Sequence, residues 1–179
     1  MTVQHDPVAA SNERSFRIAI AGPGDVGAIH ALIGGLADYE GLAGICVATE
    51  HDLAQALFGE YRCAEALIAR FDGKSEVAAG FALFFHTYST FLGRRTLWLE
   101  DLFVRQEHRR QGLGRALLRR LAGLAVERNC GRFEWAVLDW NTSAIRFYES
   151  LGASLLPDWR IARVTGEALP RLAGAAAEP

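Results

Sequence analysis

Apolar residues recur along this chain with two different periods. Val26, Ile29, Leu32, Ile33 and Leu36 are spaced by threes and fours, which predicts an amphipathic helix within "PGDVGAIHALIGGLADYEGL". Pro23 and Asp25 suit its first turn, Gly34-Gly35 weaken its middle, and Gly41 helps to end it. A second helix, "TEHDLAQALF", starts at Thr49 as N-cap with Asp52 three residues on. Leu113, Leu117, Leu121 and Leu124 form the buried stripe of a third helix, Gly112 to Arg128. "TSAIRFYESL" reads as a fourth, capped by Asn141 and stopped by Gly152, and "GEALPRLAG" as a short fifth. Between the helices lie runs that fit strands: "FRIAI", "AEALIARFD", "EVAAGFALFFHTYST", "RRTLWLEDLFVRQ", "RFEWAVLDW" and "WRIARVT". The turns "DGKS" and "TFLG" join the middle three as antiparallel neighbours. The helical crossover from "TLWLEDLFV" to "FEWAVLDW" implies one parallel pair. The expected fold class is therefore α/β, with a mixed, mostly antiparallel sheet that holds one parallel pair and helices on both faces. Residues 1–15 read as a loose polar leader, 16–173 as a single domain and 174–179 as a frayed tail.

Composition narrows the function classes. Half the residues are hydrophobic, and the formal charge is -2, which implies no broad basic face for nucleic acid. No apolar stretch is long enough for a membrane span, and the N-terminus lacks the pattern of a secretion signal. Cys46, Cys63 and Cys130 form neither a disulfide framework nor a zinc pattern, which suits a reducing, cytoplasmic setting. The five histidines, His51 and His86 among them, are not arranged to hold a metal, so none is expected. His86, on an apolar strand, reads as a core or rim residue.

The local chemistry concentrates in "RRQGLG", Arg109 to Gly114, between a strand and a helix. A dinucleotide fingerprint would need glycine at Leu117, and a P-loop would need Gly-Lys where Gly114 is followed by Arg115. A general anion site remains, in which turn amides and a helix N-terminus converge on one point. A plain strand-to-helix turn with surface arginines is the alternative. Just upstream, Glu100 and Asp101 interrupt an apolar strand. A carboxylate there should have a raised pKa, useful in a base, or else form a buried structural pair. An undistorted strand would send the two acids to opposite faces.

The order of elements and the string "LEDLFVRQEHRRQGLGRALL" resemble the GNAT N-acetyltransferase family, whose Arg/Gln-x-x-Gly-x-Gly/Ala pattern is filled by Arg109, Gly112 and Gly114. "LADYE", "GFALFFHTYSTFLGRRTLWLEDLFV", "AVLDWNTSAIRFYESLGA" and "DWR" are similar to its diamine (spermidine/spermine) acetyltransferase branch. The resemblance runs from Phe16 to Leu172 and implies the acyl-CoA N-acyltransferase fold. It implies acetyl-CoA as cosubstrate, with its pyrophosphate on Arg109, Arg110, Gln111, Gly112, Leu113, Gly114 and Arg115. Further cofactor contacts would come from the backbone of Leu102, Phe103 and Val104 at a bulge, and from Asn141 and Ser143. Glu100 would be the base, through water, and Tyr148 would protonate the leaving thiolate. Without the resemblance, Tyr148 reads as core, sharing a helix face with Ile145 and Leu151. Tyr39, Glu40, Asp101 and Trp159 would meet the amine, with Trp98 a second aromatic wall; both tryptophans fit a core equally well, and Glu40 fits a solvated helix end. Ser89 and Thr90 stand where the polyamine enzymes carry an acid and a proline, and "LLPDW" also lacks an expected acid. Those departures favour a shorter diamine, a lysine analogue such as thialysine, or another small primary amine. The resemblance also implies a homodimer, and direct attack without an acyl-enzyme. Two other readings stay open: a GNAT acting on a protein N-terminus, a lysine or an aminoglycoside, and a non-catalytic acyl-CoA-binding module.

Overall fold

A computed structural model describes residues 15–71 and 77–174. The leader up to residue 14, the "DGKS" turn and the tail beyond Gly174 lie outside these residues. The chain forms two compact units, the first ending at Ala136 and the second starting at Val137. The first holds β1 (Phe16–Ile20), α1 (Val26–Glu40), α2 (Glu50–Phe58), β2 (Glu65–Phe71), β3 (Gly80–Ser89), β4 (Arg94–Val104), α3 (Leu113–Glu127) and β5 (Arg132–Trp135). The second holds α4 (Thr142–Glu149) and α5 (Ala168–Leu172).

The five strands lie in the order β1-β2-β3-β4-β5. Neighbours are antiparallel up to β4, and β4–β5 is parallel, as the α3 crossover requires. Both faces of the sheet are covered. Ala66, Ile68, Phe81 and Phe103 pack with Ile29 and Leu32 of α1 and Leu53 and Leu57 of α2. Alternation sends Leu67, Ala82, Phe84 and Leu97 the other way, where α3 packs on the strands with Leu113, Leu117, Leu121 and Leu124.

The helix ends follow the sequence signals. Thr49 Oγ1 accepts from the Asp52 amide at 3.2 Å while Asp52 Oδ2 accepts from the Thr49 amide at 2.9 Å, a reciprocal capping box. Gly41 closes α1 in the left-handed region at φ 72°. Gly35, inside α1, has a packing reason that periodicity could not supply. A Cβ on Gly35 would lie 3.0 Å from Cε1 of Phe103, so Gly35 lets α1 settle against β4. Gly35→Val is expected to cost about 1–3 kcal/mol through overpacking. Urea unfolding checks this, and an unchanged midpoint would mean that the Phe103 ring yields.

Three expectations on strands are corrected. β3 begins at Gly80 and leaves Val77 to Ala79 outside the strand. "RFEWAVLDW" is a strand only to Trp135. Its ladder covers Thr96 to Leu99 of β4, and β4 departs from regular geometry at the next residue, Glu100. "WRIARVT" forms no strand. Its alternation holds two apolar positions, Trp159 and Ile161, before the same phase reaches Arg163.

Candidate active site

The irregularity in β4 organises the acids. Leu99 pairs with Phe84 and Asp101 with Leu83, so Glu100 is an extra residue with no partner on β3. Trp98 pairs with Phe85, so Trp98 and Asp101, three apart in sequence, share one face. Simple alternation would have separated them. Trp98 Nε1 donates to Glu100 Oε2 at 2.9 Å, which holds the exposed Glu100 carboxylate beside this face. The raised pKa expected of an acid in this strand falls on Asp101. Burial, then the charges of Glu100 and Glu40, push it up to about 6. Glu40, at the last turn of α1, is itself raised by burial. Glu40 and Glu100 therefore both bear on Asp101 where α1 ends beside β4.

Arg109 ties that corner together, a role the motif alone did not reveal. Its Nε donates to the Val104 carbonyl at 3.0 Å. Its guanidinium lies 4.5 Å from the centre of the Tyr39 ring and 5.5 Å from that of Phe103. Arg109 thus lies over the Tyr39 ring. Phe103 is buried, whereas Leu102 and Val104 are half-buried.

The loop beyond Arg109 has two residues with left-handed backbone, Arg110 at φ 61° and Gly112 at φ 82°. Gly112 is the N-cap of α3 and supplies no side-chain cap, unlike Thr49 on α2 and Asn141 on α4. A helix start without a side-chain cap offers its amides and its dipole to an anion. Gln111 Nε2 donates to the Glu107 carbonyl at 3.1 Å, which braces the loop from within. Leu113 is buried, Gly114 half-buried, and Arg110 and Arg115 are exposed.

Asn141, Ser143, Tyr148 and Trp159 belong to the second unit. Asn141 Oδ1 accepts from the Ala144 amide at 3.2 Å and from Ser143 Oγ at 3.1 Å, so both side chains build the cap of α4. The ring of Tyr148 sits 5.6 Å from that of Phe147. Trp159 lies outside regular secondary structure. His86 is half-buried, its Nε2 has no hydrogen-bond partner, and burial lowers its pKa.

Residues 38–153 match the family model described as Acetyltransferase (GNAT) family. The chain belongs to the GNAT acetyltransferase family. This GNAT enzyme is similar to the thialysine N-epsilon-acetyltransferase of Sus scrofa, at 38% identity over 89% of this chain and 98% of the relative. It is 35% identical to an L-ornithine N5-acetyltransferase of Arabidopsis thaliana, over 86% of each chain. Among solved structures, an integron cassette protein from V. cholerae matches with TM-score 0.74 and 28% identity, over 89% of this chain and 98% of that one. The mixed sheet with its parallel β4–β5 pair is thus the fold of an N-acetyltransferase.

Proposed function

We propose that this enzyme transfers an acetyl group from acetyl-CoA to the terminal primary amine of a small amino acid or diamine, by direct attack in a ternary complex. The observation that carries the reading is the group of Glu40, Glu100 and Asp101 at the β4 bulge, in which the charges of the first two reach the half-buried Asp101. Like charges held together favour a cation among them. The two relatives named for ornithine and thialysine support an amine at the end of an amino-acid side chain. A peptide acceptor or an aminoglycoside is the rival within the fold.

Acetyl-CoA supplies the activated acetyl group. The loop from Arg109 to Arg115, with the N-terminus of α3, fits its pyrophosphate, and the backbone of Leu102 to Val104, beyond the end of the β5 ladder, fits its thioester and pantetheine arm. For Asn141 and Ser143 a cofactor contact rests on the family resemblance alone. Glu100 draws the proton from the amine through water, while Asp101, Glu40 and Tyr39 hold the amine; a role for Trp159 rests on the family resemblance alone. Tyr148 keeps a proton at its phenol for the departing thiolate, since an ordinary phenol is protonated at neutral pH. Positioning of the two substrates is the larger contribution and proton transfer the smaller. The enzyme works as a homodimer, which light scattering on the purified protein would test.

Thiol release with L-ornithine, a lysine analogue, 1,4-diaminobutane, spermidine and a lysine peptide tests the reading. Turnover confined to the peptide would overturn it, and acetyl-CoA binding without thiol release from any amine would identify a non-catalytic module. Tyr148→Phe is expected to lower kcat about ten- to a hundredfold with acetyl-CoA affinity little changed. Equal kcat would remove Tyr148 as the proton donor.

A further inference from the structure

The sheet face that carries Asp101 continues past the acids onto β5. Resting on the acceptor class proposed above, we infer that Arg132 and Glu134 read the α-carboxylate and α-ammonium of an amino-acid acceptor whose far-end amine lies at Glu100 and Asp101. The parallel ladder places Glu134 beside Trp98 and Arg132 beside Thr96. Arg132 is fixed on this face by two hydroxyls: Nη2 donates to Ser89 Oγ at 3.0 Å and Nε to Thr96 Oγ1 at 3.4 Å. Ser89 and Thr96 are buried, at 5% and 1% exposure. The side chains of Arg132 and Glu134 keep 45% and 29% and remain open to a ligand.

The chemistry of the pair fits a zwitterionic head. Arg132 Nε lies 3.1 Å from Glu134 Oε1, so a cation and an anion stand side by side. The two hydroxyls that orient Arg132 carry no charge, so they do not neutralise it. A guanidinium has five N–H donors, more than Ser89, Thr96 and Glu134 take up, and its planar fork matches a carboxylate. Glu134 Oε2 can accept from an ammonium while Oε1 stays with Arg132.

The spacing sets the length of the acceptor. Asp101 lies across from Leu83 and Trp98 across from Phe85, one two-residue step or about 6.6 Å along the sheet. Glu134 is one strand further over, about 4.8 Å, and Arg132 one more two-residue step along. An extended side chain of a few carbons bridges the acids and the pair, over the half-buried Trp98. A long polyamine on the same path would bring a cation onto Arg132. A simple diamine would satisfy Glu134 and leave Arg132 without a carboxylate.

The test compares kcat/KM for L-ornithine and for 1,4-diaminobutane, which differ only by the α-carboxylate. The wild-type enzyme is expected to favour L-ornithine about ten- to a hundredfold, as hydrogen bonds between charged groups allow. Arg132→Gln is expected to bring the ratio close to one, and Arg132→Lys, which keeps the charge without the fork, to give an intermediate ratio. A purely structural arginine would depress both substrates together and leave the ratio unchanged, which would overturn the inference. So would a wild-type ratio near one, a measurement that needs no variant to fold. Equal turnover of both amines sinks this inference alone, whereas turnover of neither sinks the acceptor class and the inference together.

Discussion

Glu100→Gln is expected to lower kcat at neutral pH about 10²–10³-fold, the range of a lost general base. Glu100 is the unpaired residue of the bulge, so its loss should leave the sheet intact and acetyl-CoA affinity near the wild-type value. Asp101 gives a different signature. Its pKa of about 6 makes it neutral below that pH and anionic above. If the anion is needed to hold the amine, activity should rise through pH 6 and level off above it. Asp101→Asn should remove that rising limb, while Glu100→Gln should keep it at a lower plateau and move it to lower pH, because the charge that helps raise Asp101 is gone. The sign for stability is opposite. A carboxyl whose folded pKa exceeds its unfolded value stabilises the fold at low pH and loses that contribution as pH rises through about 6. Asp101→Asn should therefore raise Tm at pH 8, by on the order of 2 kcal/mol of stability, while lowering activity. A pH–rate profile for each variant and a melting curve at pH 8 check these points. Wild-type kcat in Glu100→Gln would remove it as the base.

Gly112→Asp is expected to weaken acetyl-CoA binding at least about a hundredfold in calorimetry. Two effects combine. The backbone at φ 82° costs a side-chain-bearing residue roughly 1–2 kcal/mol. The new carboxylate also sits at the start of α3, where phosphate is proposed to bind. Gly112→Asn separates them, because asparagine tolerates the left-handed region and carries no charge. It should lose far less affinity than the aspartate. Equal losses would make the effect one of backbone strain, and normal binding in both would refute the loop as the phosphate site.

The sequence was most informative where a local rule acts alone. The capping box at Thr49, the leucine stripe of α3 and the glycine closing α1 depend on neighbours within one turn, and each stands where the pattern put it. The parallel β4–β5 pair was legible because a helix joins its strands. Strand ends were less so, since a strand lasts only as long as its partner's ladder. β5 stops with the regular part of β4, a limit set by another segment. Gly35 looked like a weak point in a helix because its reason, the Phe103 ring, lies far away in sequence. In the site, the glycine loop and the acids were visible as residue types. That Asp101 bears the raised pKa, and that Arg109 clamps Tyr39, depend on register and three-dimensional approach.

The register around Glu100 sets the proposed base apart from the rest of β4. With Glu100 left out of the count, Leu99 opposite Phe84 and Asp101 opposite Leu83 form an unbroken ladder. Every other side chain of β4 would keep its present face. The proposed base is thus one residue more than the β3–β4 ladder requires, so the position that carries the chemistry is separate from the positions that set the strand's faces.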